Sequence, residues 1–164
     1  ILKIEGRGRS PEYTKVTVGV YSEAVKAIQN GEFTEEKIAQ WTERLRSVYN
    51  RDFWDGYYLG RKMGEWTQRY GSQATKTKIF VGTVTNFFAK INVAEIRMET
   101  QDLKVGDDIM IIGPTTGVYE DKVSEIRVDL KPVESTEKGE LCSIPVRDVI
   151  RRGDKVYKVI DAES

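Results

Sequence analysis

The first ten residues, ILKIEGRGRS, concentrate charged side chains in an order suited to holding an anion. Lys3 and Glu5 alternate with Leu2 and Ile4, which places both charges on one face of an expected strand. Arg7 and Arg9 follow in a loop, and Ser10, Pro11 and Glu12 then open a helix. There the Ser side chain can cap, the Pro ring fits the first turn, and the Glu complements the positive dipole end. Backbone N–H groups at such a start, beside two guanidinium groups, suit a carboxylate or a phosphate. The same residues also suit a solvated loop in which Lys3 pairs with Glu5, and the sequence leaves both readings open. A second set lies in RDFWDGYYLGRKMGEW. Trp54, Tyr57 and Tyr58, with Phe53, can stack on a base or ring ligand, or equally pin an irregular segment to a neighbouring surface.

Composition excludes much other chemistry. The 164 residues contain no histidine and one cysteine, so the usual triads and the usual neutral-pH proton shuttle are absent. No intrachain disulfide can form, and a metal would have to rely on carboxylates or a partner chain. Cys142 stands in phase with Ile144 and Val146 on an inward face, as a small buried hydrophobe. Basic and acidic side chains number 26 each, divided as 13 and 10 over residues 1–76 and 13 and 16 over residues 77–164. That mild polarity falls short of a nucleic-acid-binding surface. No apolar run reaches membrane-spanning length and no signal peptide opens the chain, so a soluble, cytoplasmic protein without a membrane partner is expected. Two short motifs tempt and fail. GPTTG at 113–117 lacks the Gly-Lys-Ser/Thr ending of a phosphate loop, and its context is a tight turn between strands. RGD at 152–154 is explained by turn chemistry, without an adhesion receptor.

The positioning elements follow from periodicity. Tyr13, Val16, Val20, Ala24 and Ile28 recur at helical spacing up to Asn30-Gly31. A second helix starts at Thr34 and carries Ile38, Trp41, Leu45 and Val48 as a packing stripe. Strand, loop and helix in this order resemble the last unit of a (β/α)₈ barrel, whose chemistry sits at the strands' C-terminal end. GSQATKTK at 71–78 predicts a linker. Beyond Ile79, six strand-like runs (IFVGTV, NVAEIRME, DDIMIIG, VSEIRVDL, ELCSIPV, KVYKVI) predict a small closed barrel. Ile126, Val128 and Leu130 are expected to face inward. KVGDDIMII and RRGDKVYKV repeat one Gly-Asp turn ahead of a strand, which predicts two similar corners of that barrel. The fold class is α+β, with residues 1–50 as the closing strand and helices, 51–76 as an aromatic connecting segment, and 77–164 as the β-barrel.

LKIEGRGRSPEY, GPTTG and ELCSIPV followed by RRGDKVYK together resemble the C-terminal part of the peptidase U32 family. The resemblance implies a preceding catalytic (β/α)₈ barrel, and an appended β-barrel similar to the second domain of elongation factor Tu. It also implies that the chain begins mid-protein, as a non-catalytic portion holding no cofactor of its own. An iron–sulfur cluster would be bound upstream, by cysteines absent here. The partner would be the rest of the barrel, from the same parent or from another chain. Family members are called collagenase-like proteases, while others resemble prephenate-dependent hydroxylases of RNA pyrimidines. The implied function is therefore part of an RNA hydroxylase, with the β-barrel as substrate-holding or lid module and RNA as partner through the parent. The alternatives are part of a peptidase, or a pure interaction module.

Overall fold

The computed structural model describes residues 1–51, 53 and 72–162, and the chain divides into two compact units, Ile1–Lys76 and Thr77–Glu163. Trp54, Tyr57, Tyr58 and most of the aromatic connecting segment lie outside the described residues.

The first unit is built on two helices, α1 (Pro11–Gln29) and α2 (Glu35–Ser47). Pro11 and Glu12 start α1 as the sequence predicts, but the Ser10 side chain makes no capping bond; its extended backbone presents the carbonyl to Thr14 N–H instead. Thr34 does cap α2, its hydroxyl accepting from Lys37 N–H. The helices bury Val20, Ala27 and Trp41 between them, with Val16, Ala24, Ile38 and Leu45 packed around. The α2 stripe is thus packing, as expected. On α1 the buried line runs through Thr17, Val20, Ala24 and Ala27, and Ile28 is 61% exposed. Residues 1–6 form no strand. A strand is completed by a hydrogen-bonded neighbour, and among the described residues none pairs with this segment.

The second unit carries eight strands rather than six: β1 (Lys76–Phe88), β2 (Val93–Met98), β3 (Asp108–Gly113), β4 (Gly117–Lys122), β5 (Ile126–Val128), β6 (Lys131–Val133), β7 (Leu141–Pro145) and β8 (Lys155–Asp161). Lys76, Thr77 and Lys78 belong to β1 and not to a linker, their β-branched and alternating pattern extending the strand. The ladder runs β4-β3-β8-β1-β2-β7-β5-β6 and is not closed. It curls all the same, because Tyr119 on edge strand β4 accepts from the N–H of Arg147, which follows β7. One core of sixteen buried residues results, including Ile96, Ile111, Ile126, Cys142, Ile144 and Val156. The two strands missed are short or polar: GVYEDK pairs with β3 across the GPTTG turn, and KPV pairs with β5. Leu130, expected inside, is 86% exposed. It occupies the two-residue turn between β5 and β6, where Asp129 and Leu130 take φ of 50° and 64°.

The repeated Gly-Asp turn occurs three times. Lys104 N–H donates to the Asp107 carboxylate at 2.8 Å, and Asp107 N–H returns a bond to Lys104 C=O at 3.1 Å. Arg151 and Asp154 repeat this at 2.9 and 3.1 Å. Glu137 and Glu140 repeat it again at 2.7 and 3.3 Å. Gly106, Gly153 and Gly139 hold the third position at φ of 92°, 92° and 93°, a conformation that penalises any Cβ. Each corner opens a strand, β3, β8 and β7 respectively. The third corner escapes notice in the sequence because Glu140 replaces the aspartate.

Candidate functional site

A groove of about 410 Å³ opens in the first unit, between the leading residues, α1 and the segment after α2. Lys3, Glu5 and Arg9 line it, whereas Arg7 and Ser10 do not. The structure therefore separates the five leading site residues into two sets. Arg7 N–H donates to the Glu5 carboxylate at 2.9 Å, and Arg9 N–H to Gly6 C=O at 3.0 Å, so a tight turn re-aims the second arginine. Gly8 supplies that turn's φ of 71°.

Sequence reasoning missed the opposite wall. Asn50 ties off α2, its side-chain amide donating to the carbonyls of Arg46 and Val48. This anchors Tyr49 and Arg51 on either side. The Arg9 guanidinium lies 3.8 Å from the Tyr49 ring centroid, and Arg51 Nε donates to the Tyr49 hydroxyl at 2.9 Å. The Arg51 bond, reinforced by Arg9, holds the phenol below its ordinary range. Stacking on a ring leaves the guanidinium's in-plane N–H edge directed outward, the geometry that takes a carboxylate or phosphate. The cationic side chains that line the groove are thus Arg9, Arg51 and Lys3, with Glu5 as the nearby opposing charge, and these replace the helix start as the candidate contacts for an anion.

Thr17 lies deeper in the same groove. It is 6% exposed, and its hydroxyl has no hydrogen-bond partner among the described residues. A buried hydroxyl without a partner costs roughly 1–3 kcal/mol, so it is a candidate contact for a polar group entering the groove. Tyr13, Thr17 and Tyr21 follow one another at intervals of four on α1, and all three line the groove. That line was the legible signal, overshadowed by the apolar stripe beside it.

The second unit carries coupled charges of its own. Tyr119 Oη donates to Asp121 at 2.5 Å, and Arg147 bridges to the same carboxylate at 2.6 and 2.9 Å. Burial pushes the Tyr119 phenol up. Burial alone would also raise the Asp121 carboxyl, but the Tyr119 hydroxyl, Lys122 N–H and Arg147 outweigh it and hold the group below the usual carboxylate range. Cys142 is 1% exposed, and burial pushes its thiol up to about 12. It is neither an accessible nucleophile nor, as the sole cysteine, a ligand set for an iron–sulfur cluster. Asp154 of the RGD tripeptide is buried and bonded internally, closing it to a receptor. Among the described residues no helix is long and apolar enough to cross a membrane.

Residues 1–68 match the model of Peptidase family U32. The chain is 51% identical over 158 residues to a collagenase of Porphyromonas gingivalis, covering 96% of this chain and 38% of that protein. It is 32% identical over 116 residues to the tRNA hydroxylation protein P1 of Bacillus subtilis, covering 69% of this chain and 26% of that protein. A solved C-terminal domain of a Geobacillus thermoleovorans putative U32 peptidase aligns with 48% of this chain and 96% of that chain, at 12% identity and a TM-score of 0.46. The chain belongs to the peptidase U32 family. It spans well under half the length of the curated relatives it matches.

Proposed function

We propose that this chain is the non-catalytic, C-terminal portion of a U32 protein whose parent hydroxylates RNA pyrimidines. In this reading the first unit is the end of the parent's (β/α)₈ barrel, and Lys3, Arg9 and Arg51 hold an anionic group of its substrate or co-substrate. The second unit, similar to the second domain of elongation factor Tu, acts as a substrate-holding or lid module. Prephenate as oxygen donor and an iron–sulfur cluster on upstream cysteines belong to the parent, as does a cytoplasmic setting. The rest of the barrel is the partner, whether in the same chain or another. By itself the chain turns over no substrate.

The observation that carries this reading is the pair of arginines on Tyr49, an arrangement built for a carboxylate or phosphate and of no evident use in activating a nucleophile. The experiment is a deletion strain of the parent, complemented with wild type or Arg9→Glu. RNA nucleosides are compared by mass spectrometry. The deletion is expected to lose one hydroxylated pyrimidine, wild type to restore it, and Arg9→Glu to restore it poorly. An unchanged nucleoside profile in the deletion strain overturns the reading.

A peptidase parent is the second reading, favoured by the collagenase name of the 51% identical relative. It predicts cleavage of gelatin-like peptides by the full-length protein, persisting when the upstream cysteines are mutated.

A further inference from the structure

The outward face of β1 and β8 combines features that neither the groove nor the corners require. These strands are neighbours in the ladder. Val81 and Val156 point into the core, while Phe80 and Tyr157, one residue along, lie on the opposite face. The two rings sit 5.8 Å apart in an edge-to-face arrangement. Lys78 places its ammonium 5.1 Å from the Tyr157 centroid, and Lys155 places its own 5.5 Å from Phe80. Lys155 also donates to the Thr83 hydroxyl at 2.9 Å, which aims it along the face. The corner leading into β8 adds the exposed Arg151 and Arg152.

The corner end of this face is basic, although residues 77–164 carry 13 basic and 16 acidic side chains. Asp154, the carboxylate within the corner, is 3% exposed and occupied by Arg151 N–H and the Thr116 hydroxyl. Elsewhere Asp107, Asp108, Asp121 and Glu125 are matched by Lys158, Lys122, Arg147 and Arg127. Those four carboxylates are paired with cations outside the stripe that runs Arg152, Lys155, Phe80, Tyr157, Lys78.

We propose that this β1–β8 face is a contact surface for single-stranded RNA, with bases stacking on Phe80 and Tyr157 and phosphates running past Lys155, Arg152 and Lys78. Phe80 and Tyr157 are half-buried, with Met110 packed beside Tyr157 on the same face. Part-exposed rings flanked by cations suit an unpaired strand, whose bases expose their faces. A duplex hides those faces and an acidic peptide has none. The proposal deepens the substrate-holding role given above to the second unit and rests on that reading for its biological partner.

The test is fluorescence anisotropy of a labelled single-stranded oligouridine with the full chain, across a salt series. Wild type is expected to bind at low salt. Charge reversal at two exposed positions, Arg152→Glu with Lys155→Glu, is expected to weaken binding tenfold or more. It should also flatten the logarithmic salt slope by about 0.7 for each phosphate no longer neutralised. Tyr157→Ala is expected to weaken binding about five- to a hundredfold with the salt slope unchanged. Phe80→Leu, which keeps apolar volume and removes the ring, guards against a folding defect in the first. Absence of binding by wild type overturns the proposal. So does equal affinity for heparin, an acidic peptide or duplex RNA together with indifference to both ring substitutions. The same variants, placed in the parent and scored by RNA nucleoside profile, separate the two ideas. Ring-dependent oligouridine binding with no modified nucleoside traceable to the parent leaves the surface standing and removes the hydroxylase. Restored modification with no oligouridine binding does the reverse.

Discussion

The two units solve the problem of stability differently. The second gathers sixteen buried residues into one core and closes its corners with backbone-to-carboxylate bonds. The first, among its described residues, gathers three, and leaves Val18, Val25, Ile28 and Phe33 exposed on or beside its helices. A helix pair with so small a core is marginal alone, since most helical stability comes from burying an apolar face. The contrast predicts that the β unit folds by itself more readily than the helical unit does. The largest expected effect tests this directly. A polypeptide of residues 72–164, which keeps β1 whole, should unfold in one cooperative transition by circular dichroism, and residues 1–71 should show none. A cooperative transition in the helical piece would break the comparison.

Within the β unit the three corners form a finer series. Asp154 is buried and accepts from Arg151 N–H and from Thr116 at 2.6 Å, and a Cβ on Gly113 would sit 1.8 Å from its Oδ1. Asp154→Ala strands two donors in a buried setting and should cost about 3 kcal/mol by urea denaturation. Gly113→Ala should cost a similar amount by displacing the carboxylate. Asp107→Ala removes the same bond at a less buried corner, along with its ion pair to Lys158 at 2.7 Å. About 1–2 kcal/mol is expected there. Glu140→Ala, in the exposed corner, should cost about 1 kcal/mol or less. Equal losses at all three would show that the turn, and not its burial, sets the energy.

The sequence made the corner chemistry legible because glycine and aspartate act on their own few residues of backbone. The α2 stripe and the inward phase of Cys142 were legible for the same reason, each being a local period. What stayed hidden depends on residues far apart in the chain. The leading segment alternates like a strand, but alternation cannot supply a pairing partner. GVYEDK reads as polar, and only its register against β3 makes it a strand, with Tyr119 turned inward. Leu130 alternates inward by count and is carried outward by a two-residue turn. The groove shows both limits at once. Lys3, Glu5 and Arg9 were visible as charges at the chain's start, but Tyr49 and Arg51 entered the site only through a fold that returns the end of α2 to them.

A subtler test concerns acid. Asp121 is held below the usual carboxylate range by Tyr119, Lys122 N–H and Arg147. A folded value below the unfolded value of about 4 means that this contribution is complete above that pH. It is lost as pH falls through the lowered value. Glu23 in the helical unit is likewise held low, chiefly by Arg44 at 2.5 and 3.0 Å and also by Trp41 Nε1. Its side chain is about half exposed, however, so solvent screens the pair to a fraction of 1 kcal/mol. Asp121 ties edge strand β4 to the segment after β7, whereas Glu23 staples two helices already packed together. Tm of Asp121→Asn should therefore lie below that of wild type at neutral pH, and the gap should close as pH drops below about 4. Glu23→Gln should give a smaller gap with the same sign. If Glu23→Gln instead gives the larger loss, the seam of the sheet is not held by this charge network, and the edge of β4 must be secured by its apolar packing and by the bond from Arg147 N–H to the Tyr119 hydroxyl.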